Sequence, residues 1–202
     1  MIEPTVMEAL RGFLERDYPG IEIRAEPYSE DPSRTAISFR HALFSGLYPM
    51  QRYHYLAHLI PGDFIETHLA GTVWYELAPG ETADDLEYPD PELIESIEPH
   101  VMRALEGSGF LRALDLEFSP ELPSTPAAQC HGDFRVSKPL LLKHGFTPEE
   151  LFEIFHVLMA RGGNCDCEIL YNAVEESRLK ASYWRARARE QGLDNLHARP
   201  DK

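Results

Sequence analysis

Apolar residues recur at helical spacing from the start of the chain. Val6, Leu10, Phe13 and Leu14 share one face of a segment opened by Pro4, whose fixed φ suits a first helical position. Tyr18-Pro19-Gly20 ends it, because proline removes a donor and glycine permits the turn. Alternation replaces the helical period at Ile21-Glu22-Ile23-Arg24-Ala25, which predicts a strand. After a polar turn from Ser29 to Ser33, Ala36 to Phe44 alternates again. Its expected inner side carries Ile37, Phe39, His41 and Leu43. A second helix is predicted from Gly46 to Ile60, with Pro49 in its first turn and Pro61-Gly62 as its stop. Thr67 to Leu77 carries the strongest strand pattern. Leu69, Val73, Tyr75 and Leu77 are expected on its buried face, with Pro79-Gly80 closing it. Helix, strand, strand, helix, strand makes a small α+β unit over residues 1–80.

The pattern changes after residue 80. Asp90-Pro91-Glu92 is a helix start, and Ile94, Ile97, Val101 and Leu105 continue an apolar face, with Pro99 expected to kink or split it. Gly107-Ser108-Gly109 ends that helix. Pro120 to Ala128 holds three prolines and no periodicity, and a domain boundary is expected there. Beyond it the pattern is helical throughout. Ser137 opens a short helix ending at His144-Gly145, and Thr147-Pro148-Glu149-Glu150 is a capping box. Leu151, Ile154, Phe155, Leu158 and Met159 form a buried stripe that Gly162-Gly163 terminates. A last helix is expected from about Asn164 through Ile169, Val174 and Leu179 to Glu190, with a frayed tail after Gly192. The expected organisation is an α+β module over 1–80, an acidic helical connector and proline-rich loop over 81–128, and an all-α module over 129–202.

Charge sharpens this picture. Acids outnumber bases by 34 to 19 in 202 residues, for a formal charge of −15. The segment 81–122 alone carries twelve acids against Arg103 and Arg112. Its first reading is a solvated helix face. Its second is a docking surface for a basic protein partner, with binding that weakens in salt. A chain of this charge repels phosphate backbones and anionic lipid, which argues against nucleic-acid and membrane partners. No apolar run reaches the ~20 residues of a membrane helix. Met1-Ile2-Glu3-Pro4 lacks the basic flank of a signal peptide, and the three cysteines suit a reducing cytosol better than a disulfide framework.

Two groups of residues offer chemistry. In the first half, Phe44-Ser45-Gly46 precedes a helix carrying Arg52, Tyr53, His54 and His58. The αββαβ order and the Phe-x-Gly corner resemble the BolA-like fold, a relative of type II KH domains. Arg52 falls at that family's spacing from Phe44, whereas Tyr53 stands where the family has histidine and His54 follows one residue later. The resemblance implies a non-enzymatic adaptor in iron–sulfur or metal handling, with the helix histidine sharing a cluster with a partner protein. His54 and His58, four residues apart on one face, are the candidate cofactor ligands, with His68 as a further one. The plain alternative is two surface histidines. A Gly-x-x-Gly loop with basic residues is missing, so the nucleic-acid route of KH domains is not expected.

In the second half, Gly162-Gly163-Asn164-Cys165-Asp166-Cys167-Glu168 follows a helix, with Cys130-His131 upstream. This segment resembles a bacterial family of unknown function defined by Gly-Gly-x-Cys-Asp-Cys-Glu. Zinc takes four ligands, and Cys130, His131, Cys165 and Cys167 would supply them; an iron–sulfur cluster is the other candidate cofactor. On a regular helix Cys-x-Cys would point its sulfurs about 200° apart, so the two converge only in a turn after Gly163. Redox chemistry at the thiols and plain packing of small apolar side chains are the competing readings.

No nucleophile–base pair or phosphate loop is legible. The expected function is therefore a binding or adaptor protein. The alternatives are a thiol- or metal-dependent enzyme using Cys165 and Cys167, and an interaction protein without metal.

Overall fold

The structure is a computed structural model that describes residues 2–122 and 124–191. It divides into two compact units, Met1–Tyr88 and Pro89–Lys202.

The first unit is built in the order α1 (Pro4–Leu14), β1 (Glu22–Pro27), β2 (Thr35–Arg40), α2 (Pro49–Leu59), α3 (Gly62–Phe64) and β3 (Val73–Leu77). The strands form one sheet in the order β1-β2-β3, antiparallel between β1 and β2 and parallel between β2 and β3. The helix–strand–strand–helix–strand order is the one the apolar pattern predicts. Leu10, Leu14, Ile37, Phe39, Phe44 and Leu56 are fully buried at its centre. Each contributes roughly 1.5–3 kcal/mol of hydrophobic stabilisation. The other sheet face alternates Glu22, Arg24 and Glu26 with solvent, as an uncovered face requires.

Two strand expectations are corrected. β2 stops at Arg40 rather than Phe44. The ring of His41 accepts the Leu43 N–H at 3.2 Å and closes a 3-10 turn over Ala42–Phe44, so Leu43 ends 59% exposed. The segment expected as one strand from Thr67 is a π-helix over Ile65–Leu69, then a turn at Gly71 (φ +77°), and only then β3. The register pairs Ile37 with Trp74 and Phe39 with Glu76. Trp74 and Glu76 therefore share the helix-covered face, and Val73 and Tyr75 take the other. The face expected for Val73 and Tyr75 is exchanged, because the strand begins later than the pattern suggests, while Leu69 and Leu77 are buried as expected, at 3% and 5% exposure.

The second unit comprises α4 (Pro91–Gly107), α5 (Phe110–Phe118), α6 (Ser137–Lys143), α7 (Glu150–Ala160), α8 (Asp166–Glu168) and α9 (Arg178–Glu190). Asp90 caps α4 as expected, its Oδ1 accepting the Glu92 N–H at 3.0 Å. The helix runs unbroken through Pro99. The acidic helices are part of this unit rather than a separate connector: α4 packs on α7, and α5 packs on α6 and α9. Leu105, Phe110, Leu114, Leu141, Phe155, Leu158 and Ile169 form its fully buried centre.

The last expected helix is divided. A π-helix spans Ile169–Ala173, Val174 turns extended, and α9 starts after Ser177. Ser177 Oγ accepts the Lys180 N–H at 3.0 Å and donates to the Leu170 carbonyl at 2.8 Å. The Asp115 carboxylate accepts the N–H groups of Arg178 and Leu179 at 2.7 and 3.1 Å. These capping bonds satisfy orphan donors and fix the new start. Tyr183 and Trp184 stand 49% and 60% exposed on α9. The tail expected to fray after Gly192 lies outside the described residues. No described helix is long and apolar enough to cross a membrane.

Candidate metal centre

The turn that carries the cysteines is shaped residue by residue. α7 ends at Ala160, and Gly162, just past its cap, turns the chain with a φ of +82° that glycine reaches at little cost. Gly163 is pressed against its surroundings: a Cβ there would stand 3.1 Å from Ile169 Cα, Ile169 Cγ1 and the Leu158 carbonyl oxygen. Asn164 follows, its N–H donating to Glu168 Oε2 at 3.0 Å and closing the turn. Cys165 has extended backbone (φ −152°, ψ 172°) at the N-cap of α8. The helical separation of a Cys-x-Cys pair therefore does not apply. Cys165 and Cys167 Sγ lie 3.4 Å apart.

Cys130 arrives from a loop with no regular structure. Its Sγ lies 3.5 Å from that of Cys165 and 3.0 Å from that of Cys167. The three sulfurs form the one group among the described residues in which three or more metal-ligating atoms lie within 4.8 Å of one another. Cys130 is exposed, Cys165 buried and Cys167 intermediate. The three sulfurs lie together, as a shared site would require. His131 follows Cys130 on the exposed loop and is not in the group.

Asp166 holds the two chain segments together. It is 1% exposed, and its carboxylate accepts the N–H groups of Val136 and Ser137, both at 2.9 Å. Those are the orphan donors at the start of α6. In return, the Asp166 N–H donates to the Asp133 carbonyl at 3.0 Å. Every bond ties the cysteine turn to the segment that follows Cys130. The sequence pattern places Asp166 only within the cysteine motif and does not reveal this bond. Its legible signal is an acid between two cysteines, with a helix start upstream that lacks a side-chain cap of its own.

The electrostatics of the sulfurs follow from their mutual contact and from burial. The Cys165 thiol is pushed well up, first by its contact with Cys167 and then by desolvation, while a hydrogen bond from the Glu168 backbone opposes the shift. Burial also raises Cys130, against hydrogen bonds from Cys167 and from the Gly132 backbone. Sulfurs so close cannot all ionise unaided. A cation would supply the missing charge, and backbone N–H groups aimed at thiolate sulfur would stabilise that state.

The first-unit candidates divide. Arg52 is 4% exposed and structural. It donates to the carbonyls of Leu47 (2.9 Å) and Glu76 (2.7 Å) and grips both Glu81 oxygens (2.5 and 3.0 Å). This bond holds Glu81 below the usual carboxylate range. The rings of His54 and His58 stack with centroids 5.7 Å apart, sharing a face as their spacing predicts. His68 sits against Phe64 at 4.8 Å. No third ligand atom gathers with these histidines among the described residues.

Residues 124–172 match a family model described as "Protein of unknown function (DUF2695)". The matched stretch contains all three cysteines and the Gly162–Glu168 segment. No curated protein and no solved structure matches the chain.

Proposed function

We propose that this chain is a metal-binding protein whose second unit holds one thiophilic ion on Cys130, Cys165 and Cys167. The observation that carries this reading is the triangle of sulfurs, 3.0 to 3.5 Å on a side. A tetrahedral zinc with Zn–S of about 2.3 Å sets its sulfurs ~3.8 Å apart, so two sides of the triangle would open by a few tenths of an ångström and the Cys130–Cys167 side by about 0.8 Å. So compact a set favours a single ion over an iron–sulfur cluster, whose thiolates attach to separate irons. Three protein ligands leave a fourth position, which His131 or an exogenous ligand would fill. The exposed Cys130 puts that position within reach of a partner, which suits metal handling better than a purely structural site.

Elemental analysis of protein purified under reducing conditions tests the reading. The expected result is one zinc per chain, lost in Cys165→Ser and in Cys167→Ser alike. Metal-free protein that takes up no zinc or cobalt would sink it. A thiol-redox function is the competing reading, supported by the Cys130–Cys167 approach of 3.0 Å. It predicts a disulfide in the isolated protein, visible as a mass loss of about two hydrogens.

The adaptor role implied by the BolA-like resemblance is supported by the αββαβ order of the first unit and by the shared face of His54 and His58. Under it these histidines are the first unit's cofactor ligands. A protein partner meeting the acidic helices would present a basic surface, in the cytoplasm, with binding that falls as salt rises.

A further inference from the structure

The first unit contains a cavity that the metal site does not use. It measures about 420 Å³ and is walled by Met50, Tyr53, Leu69, Trp74 and Tyr88, with Glu76 among its lining. Glu76 is only 1% exposed, and its Oε1 has no hydrogen-bond partner. The parallel register with Phe39 is what turns this carboxylate inward. Native proteins leave few buried polar atoms unpaired, and those they leave call for an account.

The surrounding charges do not supply one. The cation that acts on Glu76 is Arg52. Arg52 reaches the Glu76 backbone carbonyl, and its charge is taken by the two-pronged pair with Glu81. The three groups together carry one negative charge when Glu76 is ionised. Burial pushes the Glu76 carboxyl up to about 7 against a hydrogen bond from its own backbone and the weaker pull of Arg52, so the pocket is short of positive charge near neutral pH.

The walls suit a cation as well as an apolar body. Tyr53 and Trp74 lie 5.5 Å apart at 55°, and their rings offer electron-rich faces. Tyr53 and Tyr88, 51% and 52% exposed, stand at the mouth of the cavity they line. Burial and the nearby Glu76 raise the Tyr88 phenol to about 12, so it remains an O–H donor. Ile65 and Leu69, which also line the cavity, come from the π-helix, a distortion found often at functional sites.

We propose that this cavity binds a small primary amine as its ammonium ion, paired with Glu76 Oε1, its apolar body lying against Trp74 and Leu69. The site is independent of the cysteines and of any metal.

The test uses the full-length protein and three ligands of similar shape: phenethylammonium, phenethyl alcohol and phenylpropionate. Binding is followed at mildly alkaline pH by the Trp74 indole N–H signal in NMR, with Trp184 as the internal reference. The expected result is a saturable Trp74 shift with the ammonium ion, at least about tenfold tighter than with the alcohol, and none with the carboxylate. Glu76→Gln should bring the ammonium affinity down to that of the alcohol, with an unchanged circular dichroism spectrum. Alcohol binding as tight as ammonium binding, or full affinity in Glu76→Gln, overturns recognition of the charge. No saturable shift with any ligand overturns the site. If Glu76→Gln does not fold, the three ligands on the native chain decide the question.

Discussion

Asp166 caps the helix that begins at Ser137, across a separation of 29 residues, through a 2.9 Å bond from the Ser137 N–H to Oδ1. The residue between Cys165 and Cys167 is thus the one that anchors the segment following Cys130. Folding and the assembly of the sulfur triangle share this contact.

Removing it should loosen both. Asp166→Ala leaves the buried donors of Val136 and Ser137 without their acceptor. The expected cost is about 1–3 kcal/mol in denaturant unfolding, with weaker zinc binding in competition against a chelating dye. Native zinc affinity in a destabilised Asp166→Ala would separate the two roles and refute the coupling.

Gly163 leads to a steric prediction. Alanine there brings a Cβ to 3.1 Å from two Ile169 atoms and from the Leu158 carbonyl oxygen. Gly163→Ala should cost about 1–3 kcal/mol by overpacking. Gly162→Ala should cost about 1–2 kcal/mol, because L-residues are strained at its φ. Both are read from urea midpoints at fixed zinc. A neutral Gly163→Ala would mean the turn gives way easily.

Chelation should act locally. With zinc removed, amide exchange should accelerate at Asp166, Ile169, Val136 and Ser137, while Ile37 and Phe39 in the sheet core keep their protection. Equal loosening of both units would count against a site confined to the second.

Glu76 predicts how stability varies with pH. Its folded pKa is raised from the ordinary carboxylate range to about 7, chiefly by burial. The folded state therefore holds a proton that the unfolded state releases. Stability is greatest below the unfolded pKa and declines as pH rises to the folded one, by up to about 3 kcal/mol. Above that the penalty is constant. Glu76→Gln should flatten this slope and be the more stable protein at pH above about 7. Urea midpoints across the range check it, and a native-like slope in the variant would assign the titration to another group.

The apolar periodicity alone determined much of this protein. It marks α1, α2, α4 and α7, because a helix must bury one face and the period of that face is written in the residues. Caps at Asp90 and Thr147 are local and equally legible: Glu150 Oε2 accepts the Thr147 N–H at 2.7 Å, as the capping box requires. The Gly-Gly-x-Cys-Asp-Cys-Glu segment also announced a turn that could bring two sulfurs together.

Only the tertiary structure decided the rest. Whether Val73 or Trp74 faces inward depends on where β3 begins, and the π-helix over Ile65–Leu69 displaced that start; slipping a strand by one residue exchanges its faces. The same slip buried Glu76, which alternation had assigned to solvent. Arg52 became a clamp because Glu81, 29 residues away, meets it. Cys130 joined Cys165 across 35 residues through backbone donors that carry no side-chain signature. Such pairings form between segments distant in the chain, and their energy depends on geometry that local composition does not encode.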